Sequence, residues 1–225
     1  MASVLPAVSS RHDLSELASL ARPVSLARER VLPVGDVLRP LLAEAGLRRG
    51  LTCSVSGSTS LALALLAEAS AAGCWCAAVG VPELGLVAAA EMGIALERLA
   101  LIPSPPPEQW APVVAALVDG IDIVLVRPAG RSTTSARRLS ARARERGTVL
   151  VLLGAAWWPA ELNLYVLHRR WSGLGEGHGN LEGQVLEVAS RGRGAASRDR
   201  RATVHLPVFV GDRPTYMAVD RPINR

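Results

Sequence analysis

The stretch TCSVSGSTSLALALLAEA, residues 52–69, decides how the rest of the chain is read. Its first five residues are β-prone, Gly57 interrupts them, three small hydroxyl residues follow, and a Leu/Ala-rich helix is predicted from Leu61. A strand that turns through glycine into a helix is the setting of a phosphate-binding loop. Such a loop needs G-x-x-x-x-G-K-[ST], because backbone N–H groups wrap the phosphates and the lysine reaches their charge. Here Gly57 is followed by Ser58, Thr59 and Ser60, with no lysine.

That lysine is missing from the whole chain, since all 25 basic residues are arginine. Phosphate-loop, Schiff-base and general-base lysines are therefore excluded at once. The net charge of +5 and a pI near 10.0 admit nucleic acid or an acidic protein as partner. With 225 residues, 49% of them hydrophobic, the chain can bury a sizeable core and is not of disordered composition. No apolar run approaches the roughly 20 residues that span a bilayer. The opening MASVLPAVSSRHDLSELASL has no basic stretch followed by an apolar one, so a cytoplasmic protein is expected. Cys53, Cys74 and Cys76 sit in apolar runs and read as buried thiols of a reducing compartment. CWC offers two metal ligands, but no second Cys/His pair completes a tetrahedral zinc site, so no metal is expected, and with the phosphate-loop lysine missing no nucleotide cofactor is expected either.

Outward from residue 52 the chain alternates strand and helix. LTCSVS, WCAAVGV, LALIP, IDIVLV and TVLVLLG read as five strands, with helices between them that end at glycines such as Gly73 and Gly147. Near-continuous apolar strands separated by helices predict a mostly parallel sheet covered on both faces. After Gly154 the helices stop: ELNLYVLHRRW, LEGQVLEVASR and RATVHLPVFV alternate like strands of an antiparallel extension. Before residue 47 the pattern is helical. Asp13 caps a segment with Leu14 and Leu17 at helical spacing, and LPVGDVLRPLLAEAG sets Val37, Leu41 and Leu42 on one face. The expected organisation is a helical N-terminal segment (1–46), an α/β core domain (47–212) and a C-terminal tail (213–225).

This order, and the local sequence from Gly46 to Pro103, resembles the ATPase core of RecA. GLRRGLTCSVSG resembles that family's entry into its first strand and phosphate loop. AAGCWCAAVGV, followed by AAAEMGIALERLALIPSP, resembles the next β-α-β stretch. Within the superfamily the chain resembles the ImuA′ family, RecA-like accessory proteins of the actinobacterial translesion-synthesis mutasome. GSTSLALALLAEASAAGCWCAAVG, HRRWSGLGEGHG and SRGRGAASRDRRATVHLP together carry that likeness. The resemblance implies a RecA-like (P-loop-type) fold and a role in SOS-induced mutagenic DNA synthesis. It implies ImuB, a catalytically dead Y-family polymerase homologue, as partner. An error-prone C-family polymerase would be reached through it.

Against that family's ATPase machinery the residues fall short. Gly57 aligns either with the first phosphate-loop glycine or with the second; the latter puts Ser58 on the lysine and Thr59 on the Mg²⁺-binding hydroxyl. Both alignments leave the phosphate site degenerate at Gly57, Ser58 and Thr59. The strand that should end in a metal-binding aspartate ends in Arg127, and Asp122 stands at its wrong end. The glutamate expected after the second strand has one remnant, Glu83, displaced by one position. A non-catalytic pseudo-ATPase is the expectation. The loops that bind DNA in RecA correspond here to the short RPAGRS and GAAWWPAE.

Partner-binding candidates are Trp157 and Trp158, because tryptophan is enriched at interface hot spots. Leu14 and Leu17 are candidates too, because the resemblance to RecA, whose N-terminal segment docks onto a neighbouring protomer, implies a similar role for this helix. Arg191, Arg193, Arg198, Arg200 and Arg201 read as an exposed loop able to contact DNA phosphates or an acidic partner. A second stripe, Arg138, Arg142 and Arg146, lies on one helix face and is otherwise a solvated surface. The glycines around His178 join two strands, unlike a dinucleotide fingerprint, which opens a helix. Alternatives from other classes are a basic DNA-binding or RecA-filament-modulating protein and a SulA-like inhibitor of cell division.

Overall fold

β-branched and leucine-rich runs place the strands where the apolar pattern predicts them, and the turns between them fix their order. The computed structural model describes residues 30–172, 183–194 and 197–206. Leu14 and Leu17, His178 and the tail 213–225 lie outside the described residues. The core strands are β3 (Thr52–Ser56), β4 (Cys76–Val79), β5 (Leu99–Ile102), β6 (Ile123–Val126) and β7 (Val149–Leu153). Between them run α1 (Thr59–Ala71), α2 (Leu86–Glu91), α3 (Pro107–Val118) and α4 (Thr133–Arg146). Three longer strands close the chain: β8 (Leu162–Ser172), β9 (Gly183–Gly192) and β10 (Arg200–Leu206).

These eight strands form one sheet in the order β10-β9-β8-β3-β7-β6-β4-β5. From β5 to β8 every neighbouring pair is parallel, and β8-β9-β10 is antiparallel. The extension therefore begins one strand later than its sequence pattern implies, since β8 pairs parallel with β3. The central position of β3 puts residue 57 in the middle of the sheet's carboxyl edge.

Alternation along the strands feeds two apolar layers. Cys53 and Val55 of β3 and Val149, Val151 and Leu153 of β7 face α1 and α2, where Leu61, Leu65 and Leu66 are fully buried. Leu150 and Leu152 face the other way, onto Trp110, Val114 and Val118 of α3 and Ala136, Leu139 and Ala143 of α4. Each such leucine contributes on the order of 2 kcal/mol by leaving water. The first layer continues under β9 and β10 through Leu186, Val188 and Val204. The opposite face of that extension, with Tyr165, His168, Glu187, Arg201 and His205, belongs to neither layer.

The segment before the core departs from expectation. Val37, Leu41 and Leu42 are buried, but the turn is a 3-10 helix, Asp36–Leu41, and the chain is already extended at Leu42. Pro40 inside it supplies no N–H, so an α-helical ladder cannot continue through it. A small antiparallel pair, β1 (Val31–Leu32) with β2 (Leu47–Arg48), brackets the turn. Among the described residues, no helix is long and apolar enough to cross a membrane.

Candidate functional site

At the tip of β3 the chain turns with Gly57 at φ +92°, a backbone state that a Cβ disfavours. Ser58 then caps α1, its hydroxyl accepting from the Leu61 N–H at 3.1 Å. The helix consequently starts at Thr59, two residues earlier than predicted, leaving one residue between glycine and helix. A phosphate cradle needs a loop of successive N–H groups, and none is left here. The space above is occupied by β8: a Cβ on Gly57 would stand 3.1 Å from Val166 Cβ. Arg169, from the same strand, donates to the Gly57 carbonyl and lies 5.8 Å from the Trp171 ring centroid. β8 carries a bulge between Val166 and His168, which offsets the residues that follow.

Two strands away, Arg127 and Glu83, the residues that the RecA resemblance would set at the metal and glutamate positions, meet each other. The Arg127 guanidinium pairs with the Glu83 carboxylate, linking the ends of β6 and β4. That hydrogen bond holds the Glu83 carboxyl below the usual carboxylate range. The Arg127 main chain is fixed as well, because its N–H donates to Val79 at 2.9 Å and its carbonyl accepts from Trp110 Nε1 at 3.0 Å. Gly80 makes this approach possible: at φ +74°, its Cβ would lie 2.6 Å from the Arg127 carbonyl oxygen. Asp122, before β6, is on the opposite edge of the sheet, where it accepts from Arg49 at 2.8 Å and from the Trp75 N–H at 2.9 Å. Glu161 does similar work there, bridging Arg48 at 2.6 Å and Arg144 at 2.9 Å.

The third feature of the carboxyl edge is open. Behind the short connections after β6 and β7 lies a cavity of about 240 Å³, lined by Trp110, Trp157, Trp158 and Pro107, with Arg131 and Ser132 among its remaining walls. Trp158 packs inward, 2% exposed, with its Nε1 donating to Ser140 Oγ at 2.9 Å. Its ring meets Trp110 edge-on at 6.2 Å and Trp157 at 5.5 Å. Trp157 is only partly buried and offers its ring to the cavity. The predicted pair thus divides: one tryptophan is a wall held from behind, the other a surface. Trp110 and Arg131 join them, and no spacing in the sequence announced either, since α3 and the loop before α4 are distant in the chain.

The arginine cluster differs from the exposed loop expected. Arg191 lies on β9, and Arg200 and Arg201 lie on β10; only Arg193 and Arg198 are in the connection. Arg191 pairs with Asp199 at 3.0 Å, and Arg200 is partly buried on the core side of its strand. Of the helical stripe, Arg142 and Arg146 both engage Asp119, at 2.8 and 3.1 Å, which leaves Arg138 outside that network. Burial pushes the Cys53 and Cys76 thiols up to about 12, so neither is a ready nucleophile. Among the described residues, no cluster of His, Cys, Asp or Glu could hold a metal ion.

Residues 40–160 match the family model described as MT3502 N-terminal domain. That span takes in Gly57, Glu83, Arg127 and all three cavity tryptophans, and it ends before β8. The uncharacterized protein Rv3395c of Mycobacterium tuberculosis is 34% identical over 197 residues, covering 79% of this chain and 92% of that protein. The chain belongs to the MT3502 N-terminal domain family.

Proposed function

We propose that this member of the MT3502 N-terminal domain family is a non-catalytic adaptor built on a RecA-like core, working in SOS-induced mutagenic translesion synthesis. Its task in this reading is to hold ImuB, and through it the error-prone C-family polymerase, by protein–protein contacts in the cytoplasm. The observation that carries the non-catalytic half is the Arg127–Glu83 pair, in which the two positions expected to serve metal and water bind each other. A cation at the metal position repels Mg²⁺, and a glutamate tied to it is a poor base. Support for the RecA-like build comes from the run of parallel strands, the antiparallel extension that follows, and Gly57 at the centre of the carboxyl edge. The mutasome half rests on the sequence likeness in residues 57–80, 168–179 and 190–207.

Co-expression with ImuB tests the adaptor reading: the two proteins copurify through size exclusion if it holds, and their failure to do so removes it. A second reading, direct DNA binding, is favoured by one observation. Arg198 and Arg201 are exposed and have no carboxylate partner among the described residues. Salt-dependent DNA binding that disappears in an R198A/R200A/R201A variant supports that reading.

A further inference from the structure

We propose that the cavity at the carboxyl ends of β6 and β7 is a docking slot for one large apolar side chain carried on an acidic segment of a partner protein. The size sets the first limit. About 240 Å³ is below the roughly 300–1,000 Å³ of small-molecule pockets and suits a single side chain. Wall chemistry sets the second. Both inner indoles spend their N–H groups on the protein, Trp110 on the Arg127 carbonyl and Trp158 on Ser140, so they present carbon to the cavity. The hydroxyls of Ser132 and Ser135 are bonded to one another at 3.1 Å, and Ser132 also caps α4. A nucleobase would bring several polar edge atoms into a slot where Trp110, Trp158 and Ser132 are already bonded within the protein, at a cost of about 1–3 kcal/mol for each atom left unsatisfied. An apolar side chain meets no such penalty.

Charge decides what flanks the anchor. No acidic residue lines the cavity, and Arg131 at its rim has no carboxylate partner among the described residues. The first turn of α4 beside it also holds no acid, so the positive end of that helix is not neutralised from within. A segment carrying Asp or Glu on either side of its anchor complements this rim, whereas a basic one is repelled. The inference gives the adaptor reading a partner chemistry and rests on it only in taking the partner to be a protein. Loss of the ImuB interaction would remove the mutasome assignment and leave the slot to be judged by its own measurement.

That measurement uses the full chain and fluorescein-labelled nine-residue peptides with a central phenylalanine, read by anisotropy. One peptide is flanked by Asp and Glu, a second by Lys and Arg, and a third keeps the acidic flanks with serine at the centre. The acidic phenylalanine peptide should bind saturably and about tenfold tighter than either control, a difference of about 1.4 kcal/mol. Arg131→Glu, at an exposed site, should weaken it about tenfold. Trp157→Ala should do the same with an unchanged circular dichroism spectrum. Should Trp157→Ala fail to fold, Ala129→Trp fills the cavity from its exposed rim and should abolish binding. Equal binding of the three peptides, no binding at all, or indifference to Arg131→Glu and the cavity variant overturns the proposal. A labelled oligothymidylate that binds saturably and loses its affinity in the cavity variant overturns it as well, and assigns the slot to nucleic acid.

Discussion

The tip of β3 and the tips of β6 and β7 share the carboxyl edge of one sheet, the edge at which open α/β sheets bind ligands, yet they have opposite characters. At β3 the chain closes on itself: Ser58 caps α1, Val166 lies against Gly57, and Arg169 takes the Gly57 carbonyl. At β6 and β7 the connections are short, and behind them three tryptophans leave a cavity. The β3 tip is packed, while the β6 and β7 tips keep an accessible surface. The Arg127–Glu83 pair lies between the two and belongs to the closed part.

The sharpest way to test this contrast is to disturb each end and compare the losses. Trp158→Ala removes an indole that is buried against Trp110, Trp157 and Ser140. It should cost about 3–5 kcal/mol of unfolding free energy, measured by denaturant titration. At the closed end, Gly57→Ala forces a side chain into φ +92° and against Val166. The expected cost is about 1–3 kcal/mol by the same titration. A cost near zero would mean that β8 does not hold the β3 tip.

Two smaller effects sharpen the picture through pH. The Cys53 thiol rises from 9.0 to about 12 because the fold buries it, so the folded chain keeps a proton that the unfolded chain releases near pH 9. Its contribution is full below about pH 9 and is lost as pH climbs towards 12. Denaturation midpoints measured across that window should fall, and Cys53→Ala should flatten the fall. Glu83 has the opposite sign. Its lowered pKa adds stability above its ordinary range, and that contribution disappears as acid protonates it. The exposed pair changes overall stability little, so the useful reading is the carboxyl itself. In Arg127→Gln, an NMR titration should find the Glu83 carboxyl raised towards its ordinary value, with the backbone hydrogen bond still holding it somewhat down.

Much of the fold was legible because strands and helices here follow apolar periodicity closely. IVLV and VLVLL are buried at every position, as a doubly covered sheet requires. Less legible was anything set by contacts distant in the chain. Pro40 inside the Asp36–Leu41 turn could have signalled a 3-10 helix, but the β1–β2 pairing could not be read from it. That Gly57 lacks the residues of a phosphate loop was visible in the sequence, whereas the closure by Val166 and Arg169 depends on a bulge more than a hundred residues away. Arg127 and Glu83 each stood out only against the RecA resemblance, and the adjacency of β4 and β6 is what brings them together as a pair. The cavity was half visible: Trp157 and Trp158 stood out, while Trp110 and Arg131 arrive from another helix and loop.

Isothermal titration of the full chain with ATP in the presence of Mg²⁺ tests the central claim most directly. With the β3 tip closed and Arg127 committed to Glu83, the titration should show dilution heat alone, with no saturation up to millimolar nucleotide. A saturable isotherm in the micromolar range would contradict the account, because it would require a phosphate site that Gly57, Ser58 and Arg127 do not form.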